Sequence, residues 1–157
     1  MTAKHSSHAM HYMHLAIMTA LSFLAMYILM YSMVDRIGYV YNNINQAYMA
    51  ALMAAPMALI EVIVMRSMYP NRMLNYAIIA GSVVIGVLAF TLIRYQAAVG
   101  DVQFVRSMIA HHSGAILMRR EAPLRDAELK KLCGEIIQAQ QREIDQMEAI
   151  LARLKQG

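Results

Sequence analysis

The side chains best suited to chemistry lie in the last third of the chain, on two stretches with helical spacing. At 100° per residue, His111 and His112 share one predicted helix face with Asp101, Phe104, Met108, Ala115 and Met118. Glu143 and Gln140 fall within the apolar stripe of a second predicted helix, which is expected to be buried. The other members of this stripe are Leu129, Leu132, Cys133, Ile136, Ile144, Met147, Ile150, Leu151 and Leu154. These polar groups need partners, because burying an unpaired charge is costly.

A metal ion is the simplest partner for such a set. Imidazole suits copper, zinc and iron, thioether sulfur favours Cu(I), and carboxylate widens the range towards harder ions. The pattern predicts a mixed N/S/O site across the two helices, formed by His111 or His112 with Met108, Met118, Glu143 and Met147. The methionines favour copper, as Cu(I) or Cu(II), with zinc or iron as alternatives.

A purely structural interpretation competes with the metal site. Methionine usually fills apolar cores, and Glu143 could pair with an arginine such as Arg106 or Arg119. The histidines could then hydrogen-bond to Gln140. In that case the region would be a dimerisation hairpin without metal.

Residues 97–157 are predicted to form the helical hairpin that carries these side chains. The first helix runs from about Gly100, continuous with the preceding apolar segment or separate from it, to about Arg120, and Pro123 ends it. Asp126 is the expected N-cap of the second helix, which runs to about Lys155. Such a hairpin buries little surface alone, so we expect a second copy to complete a four-helix bundle.

The rest of the chain has the composition of a membrane protein. Apolar residues make up 59% and charged residues 15%, against about 45–50% and 25% in soluble domains. Leu15–Val34, Ala47–Met65 and Met73–Ile93 each approach the ~20 residues that a helix needs to cross a bilayer. The fold class is therefore all-α, with three transmembrane helices before the hairpin. The net charge of +4 is not concentrated in a patch, so nucleic acid is not an expected partner.

Three regions follow, namely a His/Met-rich tail (1–14), a transmembrane region (15–96) and the hairpin (97–157). The first span is longer than the apolar part of a signal peptide, so we expect it to be retained. Basic residues are enriched on the cytoplasmic side of membrane proteins. Here the side with the N-terminus carries Lys4, Arg66 and Arg72, and the other side carries Arg36, Arg94 and Arg106. This near balance favours a cytoplasmic N-terminus only slightly. In a bacterium, the protein would be multi-pass in the inner membrane with a periplasmic hairpin.

Two further features could involve metal. His5, His8, His11 and His14 recur every three residues in the tail, a spacing that can present neighbouring imidazoles to one ion; a merely polar tail is the alternative. In the second span Met49, Met53, Met57, Glu61 and Met65 recur every four residues. With three spans, this stripe is loosely similar to trimeric copper-uptake channels, although Gly81 and Gly86 are five residues apart instead of four. Metal transport along an oligomeric Met-lined path is thus the alternative function.

The hairpin also carries a family resemblance. The segments Asp101–Phe104, Met108–Ile116 and Ile136–Met147 resemble the domain-of-unknown-function 305 (DUF305) family. The resemblance implies a ferritin-like helical bundle and, in some periplasmic members, copper binding and copper resistance. Its shared positions are Asp101, Met108, His111, His112, Met118, Gln140, Glu143 and Met147. Ala110 stands where proline is common, and the second helical pair of longer members has no counterpart here, which favours assembly into homo-oligomers.

These observations predict a membrane-anchored metal-binding protein that stores copper, sequesters it or passes it to metal-handling partner proteins. Gln140 would orient a histidine. We expect no catalytic activity, because di-iron chemistry in such bundles uses Glu with Glu-x-x-His pairs and the matching faces here offer one Glu.

Overall fold

The protein is described by a computed structural model that gives the backbone of residues 2–156 and the side chains of residues 10–156. The five helices are α1 (Thr2–Leu29), α2 (Ile44–Val64), α3 (Arg72–Arg94), α4 (Asp101–Glu121) and α5 (Ala127–Leu154), and short 3₁₀ turns span Met30–Met33 and Ile37–Tyr39. No β-strand occurs within residues 2–156. The predicted all-α class is confirmed.

Three of these helices are long and apolar enough to cross a membrane, over Met10–Met33, Ile44–Val64 and Arg72–Arg94. They coincide with the three predicted spans to within a few residues. Since a backbone in hydrocarbon must satisfy its own hydrogen bonds, helical segments of 21 to 24 residues are the expected structure here, the first of which ends in the 3₁₀ turn at Met30–Met33.

The chain divides into two compact units. The first, which we call the span unit, comprises the residues up to Leu29 and Ala47–Ala97. The second, the hairpin unit, comprises residues 30–46 and 98–157. The connection between α1 and α2 therefore belongs to the same unit as the C-terminal hairpin, which the sequence did not predict. Three crossings would place these two regions on one side of a membrane.

The span unit packs around α2, whose buried positions are mostly alanines. Small residues let helix backbones approach closely, as is typical of membrane helices. At one end of the unit, Tyr12 of α1 meets the segment between α2 and α3: its ring centroid is 5.1 Å from that of Tyr69, and its hydroxyl donates to Oδ1 of Asn75 over 2.8 Å. The part of α1 around Tyr12 therefore lies next to residues 65–71, as three crossings require.

The hairpin unit has its core between α4 and α5. Val105, Ile109 and Ile116 of α4 pack with Ile144 and Leu151 of α5, and Tyr39 joins them from the 30–46 segment.

The 30–46 segment is fixed to α4 by several polar contacts. The backbone N–H of Asp35 donates to Oγ of Ser113 over 2.8 Å, and that of Ile44 donates to Oε1 of Gln103 over 3.0 Å. This segment therefore covers part of the surface of α4.

The ends of the hairpin helices are set by local chemistry. Residues 95–100 separate α3 from α4, and Gln96 and Ala98 there adopt left-handed φ values of 49° and 57°. An α4 continuous with the third span is therefore wrong. Beyond the break at Pro123, the side chain of Asp126 accepts a hydrogen bond from the backbone N–H of Leu129 over 2.7 Å, which confirms the predicted N-cap.

Candidate metal site on the hairpin

The hairpin brings one of the predicted imidazoles next to the predicted carboxylate. Nδ1 of His112 lies 3.0 Å from Oε2 of Glu143. This distance suits a hydrogen bond, but the angles between the two groups do not. The buried Nδ1 atom is therefore left without a hydrogen bond to any described residue. The His112 side chain is 11% exposed and that of Glu143 is 53% exposed, so the pair reaches the surface on its carboxylate side.

The protonation of His112 follows from its surroundings. Burial lowers the pKa of His112 below its ordinary value of 6.5; the Glu143 carboxylate opposes this shift, and His111 adds to it. The ring is therefore neutral near pH 7, which is the protonation state that binds metal ions.

The spacing of the pair suits shared coordination. Two ligands bound to one ion at about 2.0–2.2 Å are about 3 Å apart at a right angle and about 3.4 Å apart at the tetrahedral angle, so a small outward shift of the exposed Glu143 carboxylate would suit either geometry. Gln140, one helical turn before Glu143, also has a buried Oε1 atom without a hydrogen bond to any described residue. Buried polar atoms are almost always satisfied, so orphaned atoms on two adjoining helices fit a site for a bound cation.

A single chain does not bring the whole predicted set together. Among the described residues, no group of three or more His, Cys, Asp and Glu side chains is placed to hold an ion. His111 is exposed, with its ring centroid 6.0 Å from that of His112. Asp101 is exposed at the start of α4, eleven residues from His112, which is about 16 Å along a helix.

The three methionines predicted as ligands lie at different distances along the helices from His112 and Glu143. Met108 is half-buried one turn before His112. Met147 lies one turn after Glu143 and packs against the apolar core of the hairpin unit, as the structural interpretation expects. Met118 is exposed, six residues beyond His112.

The predicted buried face of α4 is partly wrong. His112 is buried, but Asp101, Phe104, His111 and Met118 are exposed, and the buried face contains Val105, Ile109 and Ser113 instead. The reason is that α4 contacts both α5 and the 30–46 segment, which rotates its buried face away from the one predicted. On α5 the predicted buried stripe is wrong near the turn, where Leu129 and Leu132 are exposed, and for Glu143.

The contacts of the structural interpretation are not found in the described part of the chain. Arg119 donates to the backbone oxygen of Ala115 over 3.4 Å, and the described ion-pair partner of Glu143 is His112. Oε1 of Gln140 accepts no hydrogen bond from either histidine.

The other predicted metal features lie in the span unit. The side chains of His5 and His8 fall outside the described residues, while His11 is half-buried and His14 is exposed, one turn apart on α1. Glu61 of the methionine stripe accepts a hydrogen bond from the hydroxyl of Tyr69 over 2.7 Å. Burial and this bond raise the pKa of Tyr69 to about 12.

Sequence reasoning missed the residues that fix the 30–46 segment beside the site. The Asp35 side chain is 3% exposed, and Nη2 of Arg120 lies 2.5 Å from its Oδ1 atom, an ion pair by distance. Ser113, which receives the Asp35 N–H, is fully buried next to His112. The sequence contained one indication of this contact, because Asp35 is the one acidic residue of the polar connection at 35–46.

Comparison with known proteins adds the family. Residues 91–156 match the family described as a domain of unknown function, DUF305. Uncharacterized protein L153 of Acanthamoeba polyphaga mimivirus is 35% identical over 123 residues, which cover 77% of this chain and 79% of that protein. The chain belongs to the DUF305 family. The family resemblance predicted from the hairpin motifs is confirmed.

Both members of the His112–Glu143 pair lie inside the DUF305 region. The match to the mimivirus protein is longer than that region, so it includes part of the apolar helices that precede it. No solved structure matches the chain.

Proposed function

We propose that this DUF305 protein is a membrane-anchored metal-binding protein whose site is built on His112 and Glu143. The observation that carries the proposal is their 3.0 Å contact, in which the buried Nδ1 atom lacks a hydrogen bond among the described residues. A neutral imidazole beside a carboxylate attracts a cation, since one group supplies a lone pair and the other a negative charge.

Copper is the ion that the neighbouring donors favour. Met108 and Met147 lie one helical turn from His112 and Glu143 respectively, and thioether sulfur selects Cu(I) over harder ions. Imidazole and carboxylate alone would also accept zinc or iron. Gln140 has a buried Oε1 atom that is free of hydrogen bonds among the described residues, so in this proposal it is available to accept the ring N–H of a metal-bound histidine and orient it.

A second copy of the chain completes the site in this proposal. Among the described residues of one chain, no three His, Cys, Asp or Glu side chains are placed to hold one ion, whereas zinc sites, for example, use three or four protein ligands. Four large apolar side chains of the hairpin are exposed, namely those of Phe104, Met118, Leu129 and Leu132. Pairing two hairpins would cover such residues and bring two His112–Glu143 pairs into one four-helix bundle.

The three spans hold this site at a membrane surface. With the N-terminal and 65–71 regions cytoplasmic, as their basic residues slightly favour, the hairpin lies on the outer side of a cytoplasmic membrane. A binding site without a described catalytic base suits storage, sequestration or handover of copper to other proteins.

Elemental analysis of the full chain tests this function. The protein is purified in detergent without chelators, and its metal content per chain is measured together with the mass of the protein–detergent complex. The proposal predicts copper in a dimer or larger assembly. Zinc or iron in its place would overturn the copper assignment, and a metal-free protein that takes up none of these ions would overturn the site.

Metal transport along α2 is the alternative function. Met49 and Met53 remain partly exposed on α2, so they are accessible to a neighbouring subunit. Glu61, however, is engaged by Tyr69, which gives this acid a structural role. Vesicle uptake of copper that Met53→Leu and Glu61→Gln leave unchanged would eliminate transport through this stripe.

A further inference from the structure

A cavity whose lining is chemically mixed lies where α2 ends and α3 begins, within the span unit. Its volume is about 600 Å³. The lining includes the two basic residues Arg66 and Arg72 and the apolar residues Val62, Ile63 and Ile79. A ligand that carries both an anionic group and an apolar part would match this lining.

The charged part of the lining is not neutralised by the protein. Neither Arg66 nor Arg72 forms an ion pair within the part of the chain that the structure describes, and no carboxylate lines the cavity. The nearest acid in sequence, Glu61, is held by the Tyr69 hydroxyl. Two arginines that line one cavity can together offer several N–H donors to the oxygens of one phosphate group.

The position of the cavity along the chain is that of a membrane boundary. The second span ends at Val64 and the third begins at Arg72, so Arg66 and Arg72 lie at the depth of lipid head groups. Tyr76, on the cavity wall, is exposed, as are many tyrosines in the interfacial belts of membrane proteins. Ile63, one residue before the end of the second span, is also exposed, near the depth where acyl chains begin.

The walls are held in place by a hydrogen-bond network. The side chain of Asn75 donates to the backbone oxygen of Tyr69 over 2.8 Å and accepts from the Tyr12 hydroxyl. Asn71 caps α3 by accepting from the backbone N–H of Leu74 over 3.0 Å. The segment that carries both arginines is therefore formed before any ligand arrives, which reduces the entropy cost of binding.

We propose that this cavity binds the head group of an anionic phospholipid. Arg66 and Arg72 hold the phosphate oxygens, and Ile63 and Ile79 contact the first carbons of an acyl chain. Basic pockets between membrane helices on the cytoplasmic side are suited to such lipids. A free phosphate ion would satisfy the arginines alone and leave the apolar part of the lining unused, so the lipid is the better fit.

Native mass spectrometry of the full chain, released from nanodiscs, measures this binding. Discs of phosphatidylcholine alone are compared with discs that also contain phosphatidylglycerol. We expect retained phosphatidylglycerol adducts on the natural protein, and about fivefold weaker retention for each of Arg66→Gln and Arg72→Gln, since one arginine near an anionic surface contributes about 1 kcal/mol. Arg94→Gln is the matched control, because it removes one arginine from the other end of α3 and should leave retention unchanged.

Three results would overturn the proposal. Equal retention of phosphatidylcholine would remove the preference for anionic lipid, and equal loss in Arg94→Gln would assign the effect to net charge. Displacement of the lipid by millimolar inorganic phosphate would identify the free ion as the ligand. Circular dichroism checks the helix content of each variant, and if an arginine variant fails to fold, the competition on the natural protein still decides.

Discussion

Nδ1 of His112 on α4 lies 3.0 Å from Oε2 of Glu143 on α5. The contact joins the two helices of the hairpin on residues that the helical pattern had already placed on facing sides. Because burial lowers the pKa of His112, the pair at neutral pH is an imidazole beside a carboxylate and not two opposite charges. It therefore retains a negative charge and a nitrogen lone pair, which is the combination that a metal ion requires.

The lowered pKa of His112 makes the stability of the hairpin unit depend on pH. Below about pH 6.5, the unfolded chain takes up a proton at this histidine more readily than the folded protein does. The free energy of unfolding therefore falls as pH falls through the lowered folded-state pKa. We expect the thermal midpoint of the metal-free protein to decline from about pH 7 to about pH 5, and His112→Gln to reduce this slope. Circular dichroism melting curves at several pH values measure it.

The control for the pH experiment is His14→Gln, which removes an exposed histidine of the span unit. This variant should retain the slope of the natural protein. A slope that is identical in His112→Gln and the natural protein would contradict the role of His112 burial.

Two helical glycines should respond oppositely to alanine. Around Gly134 no atom lies within 4 Å of an added Cβ, whereas at Gly114 the Cβ would lie 3.1 Å from the backbone oxygen of Met33. We expect Gly134→Ala to stabilise the protein by about 0.5–1 kcal/mol through helix propensity. Gly114→Ala should lose this gain and destabilise the hairpin unit, because a backbone oxygen in the packed 30–46 segment cannot move away easily.

Chemical denaturation of both glycine variants measures the difference. An equal stabilisation by both substitutions would mean that the 30–46 segment does not pack closely on α4.

The buried hydroxyl of Ser113 supports the same segment. Ser113→Ala would leave the backbone N–H of Asp35 without its 2.8 Å acceptor, at a cost of about 1–3 kcal/mol. Ser107→Ala is the matched control, since Ser107 is only half-buried and accepts a longer bond of 3.3 Å from Asn45. Denaturation curves that rank Ser107→Ala as the more harmful variant would contradict this assignment.

Three crossings fix which regions share a side of the membrane. In a Cys133→Ser background, Ser67→Cys tests the segment between α2 and α3, and Glu135→Cys tests the hairpin; both positions are exposed. In the orientation proposed above, an impermeant maleimide applied to intact cells labels Glu135→Cys and reaches Ser67→Cys only after lysis. Labelling of both positions in intact cells would contradict three crossings.

The helices could be predicted because their signals are local. Twenty-residue apolar segments identify spans by length alone, and Asp126 and Pro123 mark helix ends through their own backbone chemistry. These features need no knowledge of distant residues. They account for the agreement between the predicted and observed helices.

The orientation of α4 could not be predicted in the same way. Its buried face depends on what it contacts, and one contact is the 30–46 segment, fixed through Ser113 and Arg120. These residues are 78 and 85 positions from Asp35, and no local pattern links them. Hence the predicted burial is confirmed for His112, whereas His111 and Met118, predicted on the same face, are exposed.

Titration of the full chain with copper shows whether His112 and Glu143 bind the ion. Competition with chelators of known affinity, for Cu(I) and Cu(II) separately, gives the dissociation constant of the natural protein and of His112→Gln, Glu143→Gln and Glu135→Gln. We expect His112→Gln and Glu143→Gln to weaken binding about tenfold or more, while Glu135→Gln, which removes an exposed carboxylate from the same helix as Glu143, leaves it unchanged. Equal affinity in all four proteins would contradict a metal site at His112 and Glu143.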